Sequence, residues 1–126
     1  MVIATPSTST LSWVVPGVPA PPLHSVRLTP PQARQAFEAL LEDLQRLLSC
    51  NLVHADLSPF NILYWEDRPR IIDLPQAVDP RFNPQAYELL GRDVQNVVRY
   101  FEKYGLRTSP ERLTADLWQQ WQFADL

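Results

Sequence analysis

The chain has 126 residues, of which 45% are hydrophobic and 20% charged, a composition typical of one globular domain. Its net charge of −3 gives no basic field that would draw it to nucleic acid or to an anionic membrane. A single cysteine, Cys50, excludes an internal disulfide, and no apolar run approaches the roughly 20 residues that span a bilayer. We therefore expect a cytoplasmic protein with no membrane partner.

The first 22 residues are rich in Ser, Thr and Pro and are predicted to form an N-terminal strap or tail, followed by a domain over 23–126. Repeated prolines remove backbone donors and favour extended or turn conformations. A partly disordered terminus is the favoured interpretation, with a short edge strand at Trp13–Val15 as the alternative.

A long helix is predicted to follow Thr29, which suits the N-cap, with Pro30 in the first helical position. Large apolar residues then recur at helical spacing and indicate a face that packs in the core. These residues are Phe37, Leu40, Leu41, Leu44, Leu47 and Leu48.

Short apolar runs come next, at 52–53, 62–64 and 70–72, and each is too short for a helix. The last two flank a polar segment, Trp65 to Pro69, of hairpin length. The sequence therefore predicts a small antiparallel hairpin.

A second helix is predicted from Pro84 to Tyr104, with Asn83 as its cap and Gly105 as its left-handed stop. Its predicted apolar face is Tyr87, Leu90, Val94, Val97, Val98 and Phe101. A last helix begins after Ser109 and Pro110 and carries Leu113, Leu117 and Trp121 on one side. The predicted fold class is α+β, mainly α.

The segment LVHADLSPFNILYWEDRPRIID, residues 52–73, carries the polar groups that phosphoryl transfer requires. Asn61 follows Asp56 by five positions, and Asp73 ends an apolar strand. Mg²⁺ prefers hard oxygen ligands, and a separate carboxylate must orient the acceptor hydroxyl or take its proton. We expect Asn61 and Asp73 to bind Mg²⁺ and Asp56 to act as the catalytic base.

The order His-x-Asp-x-x-x-x-Asn, hairpin, apolar-apolar-Asp matches the protein-kinase catalytic loop and its metal-binding aspartate. More closely, VHADLSPFNIL followed by IIDLPQAVD resembles the RIO family of atypical serine/threonine protein kinases. PAPPLHSVRL at 19–28 is similar to the family segment after the hinge, and residues 91–97 resemble its Arg-Asp-x-x-Asn-Val helix. The resemblance implies a protein-kinase-like C-terminal lobe that uses ATP and Mg²⁺.

Roles implied by the resemblance fall on matching positions of this sequence. Asp56 is the catalytic aspartate, and Asp73 is both a metal ligand and the expected site of a phospho-aspartate intermediate. Ser58, inside the loop, is a candidate contact to phosphate or metal.

Two further residues, His54 and Asp93, are implied to be structural. His54 packs the loop, and Asp93 braces its backbone. Two prolines depart from the family pattern: Pro75 stands where relatives usually carry Ser, and Pro59 where an acidic residue is common.

A complete kinase also needs a Gly-rich loop over the phosphates and a strand lysine. The three glycines, Gly17, Gly91 and Gly105, are far apart, and the single lysine, Lys103, follows the catalytic residues. We therefore expect the N-terminal lobe to be absent and the chain alone to be weakly active or inactive. Expected partners are a protein substrate or a separate N-lobe polypeptide, with self-association through apolar surface near 13–23 and Leu63.

Two alternatives to a RIO-type kinase lobe remain open. One is a non-catalytic interaction module derived from a kinase lobe, which the prolines and the missing lobe favour. The other is a kinase-fold small-molecule phosphotransferase, although Ser58 and the sequence IDLPQ at 72–76 favour the RIO pattern.

Overall fold

A computed structural model of the chain describes residues 20–72 and 75–124, and every structural statement below refers to these ranges. The regular elements in chain order are α1 (Pro30–Ser49), β1 (Ile62–Trp65), β2 (Arg68–Ile71), α2 (Ala86–Phe101) and α3 (Pro110–Ala124). Short 3₁₀ turns occur at Leu23–Ser25, Pro59–Asn61 and Glu102–Tyr104. This helix-rich fold with a small antiparallel sheet confirms the predicted class. The predicted strand at 13–15 lies outside the described residues.

Helix α1 begins as the sequence predicted. The Thr29 hydroxyl accepts a hydrogen bond from the Gln32 backbone N–H at 3.3 Å, and the Gln32 side chain accepts from the Thr29 N–H at 2.9 Å. This reciprocal pair is a capping box, which satisfies N–H groups that a helix start leaves without partners. The buried face of the helix comprises Ala33, Ala36, Ala39, Leu40, Asp43, Leu44, Leu47 and Leu48.

Strands β1 and β2 form the predicted hairpin, in a register that pairs Ile62 with Ile71 and Trp65 with Arg68. The turn is shorter than the sequence suggested, because only Glu66 and Asp67 separate the strands. Both have left-handed φ angles, 51° and 59°. A two-residue turn of this kind matches the right-handed twist of a hairpin, so the strands continue through residues that were predicted to be turn.

Helix α2 begins at Ala86 and not at Pro84, so the prediction of Asn83 as its N-cap was wrong. The Asn83 side chain instead accepts from the Gln85 N–H at 2.8 Å and stabilises the turn before the helix. At the other end, Gly105 has φ 84°, the left-handed stop that the sequence predicted. Tyr87, which was assigned to the apolar face, is 42% exposed and packs edge-to-face on Trp118.

The core lies where α1, α2, α3 and the hairpin meet. Phe101 is 1% exposed and contacts Phe37 edge-to-face, with ring centroids 5.5 Å apart. Leu57, from the loop before β1, is fully buried in the same cluster, so the loop is anchored to the core by an apolar side chain. None of the helices in the described ranges is long and apolar enough to cross a membrane.

The apolar surface predicted near 13–23 and Leu63 lies only in part within the described residues. Leu63 is only 7% exposed because it packs with Ala20, and it does not itself form an exposed patch. Within the described ranges, the exposed large apolar side chains are Phe60, Phe82, Tyr87 and Phe123.

Candidate functional site

The loop at 54–61 contains most of the predicted site residues and is fixed at both ends. At its start, Val53 and Val78 exchange two backbone hydrogen bonds of 2.9 Å. At its end, the Asn61 carbonyl accepts from the Ile72 N–H at 3.1 Å, next to the paired strands. The loop therefore ends at the open end of the hairpin, where β1 begins and β2 ends. Asp73 follows Ile72 directly in the chain.

Asp93 on α2 holds the first half of this loop. Its side chain is 1% exposed, and its two oxygens accept from the backbone N–H groups of Ala55 at 2.8 Å and Leu57 at 3.0 Å. Burial raises the pKa of the Asp93 carboxyl, and these two N–H donors act in the opposite direction. Ala55 has φ 74°, a conformation that disfavours an L side chain, so the Asp93 hydrogen bonds stabilise a strained backbone.

Sequence reasoning assigned no role to Asn96, although it belongs to the motif that contains Asp93. Its side-chain amide donates to the Leu57 carbonyl at 3.0 Å. The i,i+3 spacing of Asp93 and Asn96 places both on one helix face, and this spacing is the signal that could have identified it. Together the two side chains bind the loop backbone on either side of Asp56.

His54 is fully buried and connects the loop to the hairpin. Its Nδ1 accepts from the Asp56 backbone N–H at 3.2 Å, so in the neutral ring the proton lies on Nε2. Nε2 then donates to the Ile72 carbonyl at 2.9 Å. Both ring nitrogens are therefore used in hydrogen bonds to backbone, and the described residues contain no cluster of three or more His, Cys, Asp or Glu that could hold a metal.

Asn61 spans the second half of the loop with its side chain. Its Nδ2 donates to the Asp56 carbonyl at 2.7 Å, and its Oδ1 accepts from the Ser58 N–H at 2.8 Å. These partners determine which amide atom is which, since one is a carbonyl and the other an N–H. Because Oδ1 has two lone pairs and uses one, it can still bind a hard cation.

Ser58 also contributes its hydroxyl to the loop, where Oγ accepts from the Phe60 N–H at 3.2 Å. That contact leaves the hydroxyl proton able to donate to an anion. The prediction that Ser58 contacts phosphate or metal stays a prediction.

The structure brings together Asp56, Asn61, Ser58, His54 and Asp93. Asp56 is exposed, whereas the backbone on both sides of it is held by α2 and by Asn61. The predicted ligand and phosphoryl acceptor Asp73 lies outside the described residues, as does Leu74. An exposed carboxylate on a fixed backbone is suited to meet a reacting hydroxyl.

Comparisons with known proteins agree with this geometry. The family model described as the RIO domain matches residues 11–113. Serine/threonine-protein kinase RIO3 of Bos taurus is 40% identical over 91 residues, covering 71% of this chain and 17% of that protein. RIO-type serine/threonine-protein kinase Rio1 of Thermoplasma acidophilum is 36% identical over 95 residues, covering 75% of this chain and 48% of that protein.

Among solved structures, the Rio2 kinase–ADP/Mg²⁺–phosphoaspartate complex from Chaetomium thermophilum superposes with a TM-score of 0.67 at 32% identity. That match covers 79% of this chain and 33% of the Rio2 chain, so the present chain corresponds to part of a longer kinase fold. This chain spans about half or less of the length of these relatives. On the evidence of the matched residues and the shared fold, the chain belongs to the RIO family of serine/threonine protein kinases.

Proposed function

We propose that this chain supplies the catalytic C-terminal lobe of a RIO-type enzyme that transfers phosphoryl groups from ATP to protein hydroxyls or to water. The observation that carries this proposal is the held loop around Asp56. Asp93 and Asn61 fix the backbone on both sides of Asp56, while its carboxylate faces solvent. In this role Asp56 orients the acceptor hydroxyl and receives its proton.

The donor set fits Mg²⁺. The Asn61 Oδ1 accepts one hydrogen bond and keeps a free lone pair, and the Nδ2 of the same amide donates a second bond that holds the group in place. An amide oxygen and a carboxylate form a ligand pair that Mg²⁺ accepts. We propose Asn61 and Asp73 as the residues that hold the metal, which when bound neutralises phosphate charge. By likeness to the Rio2 kinase–ADP/Mg²⁺–phosphoaspartate complex, Asp73 is also proposed to accept the phosphoryl group.

A second lobe is part of the proposal. The three glycines of this chain are 74 and 14 positions apart, so none of its segments can form a Gly-rich loop over the phosphates. We propose that this loop and the ATP-binding lysine come from outside these residues, either on the same longer chain or on a separate polypeptide. As an alternative partner, we propose a second copy of this chain, which would associate through the surface that otherwise contacts the second lobe.

Nucleotide binding by this chain can be tested by thermal unfolding with Mg-ATP and with ATP plus EDTA. A ligand present at 100 times its dissociation constant adds about 2.7 kcal/mol of stability. We expect a magnesium-dependent rise in melting temperature that Asp73→Asn abolishes. Asp67→Asn is the matched control, since it makes the same chemical change in the exposed hairpin turn and should keep the shift. An unaltered shift in Asp73→Asn would contradict the ligand assignment.

Catalysis is tested in an enzyme that contains both lobes, with Asp56→Asn. We expect kcat to fall by about 10²–10⁴, the usual contribution of a general base, while the Mg-ATP shift persists. Full activity in Asp56→Asn would refute the assignment of the base. A screen of small-molecule acceptors in the same assay separates a protein kinase from a small-molecule phosphotransferase, and failure to bind Mg-ATP under any condition would favour the interaction module.

A further inference from the structure

A cavity of about 450 Å³ opens on the surface between the segment before α1 and the turn that follows α2. Its walls are residues 24–28, from the segment that precedes α1, together with Lys103 and Tyr104 at the end of α2. None of the residues proposed to bind metal or phosphate lines it. The volume lies within the range of small-molecule pockets, so a side chain of a bound peptide has room to enter it.

The charges around this cavity are of one sign. Arg27 and Lys103 are cationic, and the lining contains no Asp or Glu. Across residues 20–72 and 75–124, neither cation forms an ion pair, although acidic residues outnumber Lys and Arg by 14 to 11 in the whole chain. Lys103 is also the only lysine of the chain. The cavity is therefore a basic spot, with its charges unneutralised, on an acidic protein.

Hydrogen bonds from two tyrosines fix the cavity wall. The Tyr104 hydroxyl accepts from the Leu28 N–H at 3.2 Å and donates to the Val26 carbonyl at 3.4 Å. The Tyr100 hydroxyl donates to the Leu23 carbonyl at 2.9 Å. The segment that carries His24 and Arg27 is thus attached to the end of α2, far away in sequence.

Lys103 is positioned by the same tyrosines. Its Nζ lies 4.2 Å from the ring centroid of Tyr100 and 5.4 Å from that of Tyr104, within cation–π distance. These contacts restrict the side chain without neutralising its charge. A ligand anion would therefore meet an ammonium group that has already lost part of its freedom, which lowers the entropic cost of binding.

His24 connects this cavity to the catalytic loop. Its ring packs on that of Phe60, with centroids 4.2 Å apart. Phe60 belongs to the turn that ends in Asn61, and its side chain is 70% exposed. Phe60 therefore contacts a residue of the cavity lining and stands in the same loop as Asp56, four positions away in sequence.

We propose that this basic cavity binds an anionic side chain of the protein substrate, so that the enzyme selects hydroxyl acceptors with a nearby acidic or phosphorylated residue. Arg27 and Lys103 provide the charge, and Phe60 provides an apolar contact between the anion and the acceptor. The inference rests on the proposed function, because it names the substrate class of the same site. The overall negative charge argues against a nucleic acid as the anion.

The binding test uses a blocked heptapeptide with a central serine flanked by aspartates, and its counterpart with asparagines. Titration into the ¹⁵N-labelled chain, followed by NMR, should shift the amide signals of Arg27 and Lys103 with the aspartate peptide only. The double variant Arg27→Gln/Lys103→Gln should weaken binding at least tenfold, while Lys103→Arg should retain it. The matched control Arg92→Gln/Arg112→Gln removes two exposed charges from α2 and α3 and should leave affinity unchanged.

A phosphoserine version of the peptide separates the two anion sources, since a site for phosphate should bind it more tightly than the aspartate peptide. Equal binding of the aspartate and asparagine peptides would overturn the inference. Equal loss of affinity in Arg27→Gln/Lys103→Gln and in the control variant would also overturn the inference, because the peptide would then respond to the overall charge of the protein and not to the cavity.

A kinetic arm distinguishes the failure of this inference from the failure of the proposed function. In the two-lobe enzyme, Arg27→Gln/Lys103→Gln should raise KM for the aspartate peptide at least tenfold and leave kcat unchanged. Phosphorylation of both peptides with equal KM would overturn the cavity assignment and leave the kinase proposal standing. Acid-selective binding without any phosphoryl transfer would support the cavity and count against the kinase.

Discussion

Replacing Asp93 with asparagine removes one of two hydrogen-bond acceptors that hold the loop around Asp56. The carboxylate accepts from Ala55 and Leu57 at 2.8 and 3.0 Å, whereas an amide offers a single acceptor oxygen. At least one buried N–H group then loses its partner. A hydrogen bond to a charged group contributes about 1.5–3 kcal/mol.

At neutral pH, the loss of stability in Asp93→Asn should lie near the lower end of this range of about 1.5–3 kcal/mol. Burial raises the pKa of Asp93, which means that the ionised carboxylate carries a desolvation cost that asparagine avoids. We expect the free energy of unfolding to fall by about 1.5–2 kcal/mol. At the usual unfolding entropy per residue this corresponds to about 6–8 °C in a chain of this length.

Urea unfolding followed by circular dichroism measures this change, and hydrogen exchange at the Ala55 and Leu57 amides locates it. Both amides should exchange faster in Asp93→Asn, and Asp93→Ala should lose more stability because it removes both acceptors. The control is Asp116→Asn, the same change at an exposed position of α3. If Asp93→Asn matched this control in stability and left both amides protected, the loop would not depend on Asp93.

Three further predictions concern the same region and the hairpin. Ala55→Gly should raise the free energy of unfolding by up to about 1 kcal/mol. Relief of the left-handed strain at this position, about 1–2 kcal/mol, outweighs the entropy that glycine adds to the unfolded chain. A lower free energy of unfolding in urea would contradict this. The double change Glu66→Asn/Asp67→Gly should raise the melting temperature, since Asn-Gly favours the left-handed angles of both turn residues; an unchanged or lower value would argue against this turn. The pKa of Asp93 is raised above 3.8 in the folded state, so the stability that this group contributes is fully present below pH 3.8 and is lost as pH rises through its folded pKa. The difference in the free energy of unfolding between wild type and Asp93→Asn should therefore shrink over that pH range. A difference that grows with pH would contradict the raised pKa.

The elements that the sequence predicted correctly are those with local signals. Thr29 followed by Pro30 marks a helix start, and Gly105 marks a stop, because the responsible atoms lie within a few residues of each other. The hairpin was visible from its two apolar runs. The order and spacing of His54, Asp56 and Asn61 likewise placed these residues in one loop and carried the family resemblance, whereas their catalytic and metal-binding roles stay predictions.

The features that the sequence did not reveal depend either on which of two local structures a side chain stabilises or on contacts with residues far away in the chain. Asn83 suits a helix start, and only the turn geometry shows that its side chain is used before the helix begins, at Gln85. The backbone N–H of Ala55, which has a left-handed φ, is held by Asp93, 38 positions away, and the Nε2 of His54 finds its partner in the Ile72 carbonyl, 18 positions away. Local propensity contains no information on such pairs.

The hydrogen bonds that hold the described part of the loop all come from within this lobe. Asp93 and Asn96 reach it from α2, His54 joins it to the end of the hairpin, and Asn61 closes it on itself. Leu57 adds an apolar anchor in the core. Because none of these contacts needs a nucleotide, most of the cost of ordering the loop is met when the lobe folds and not when ATP binds. In the two-lobe enzyme proposed above, the second lobe has to position the phosphates but not the residues proposed to act on them, so Asp93→Asn should weaken catalysis and lobe stability together.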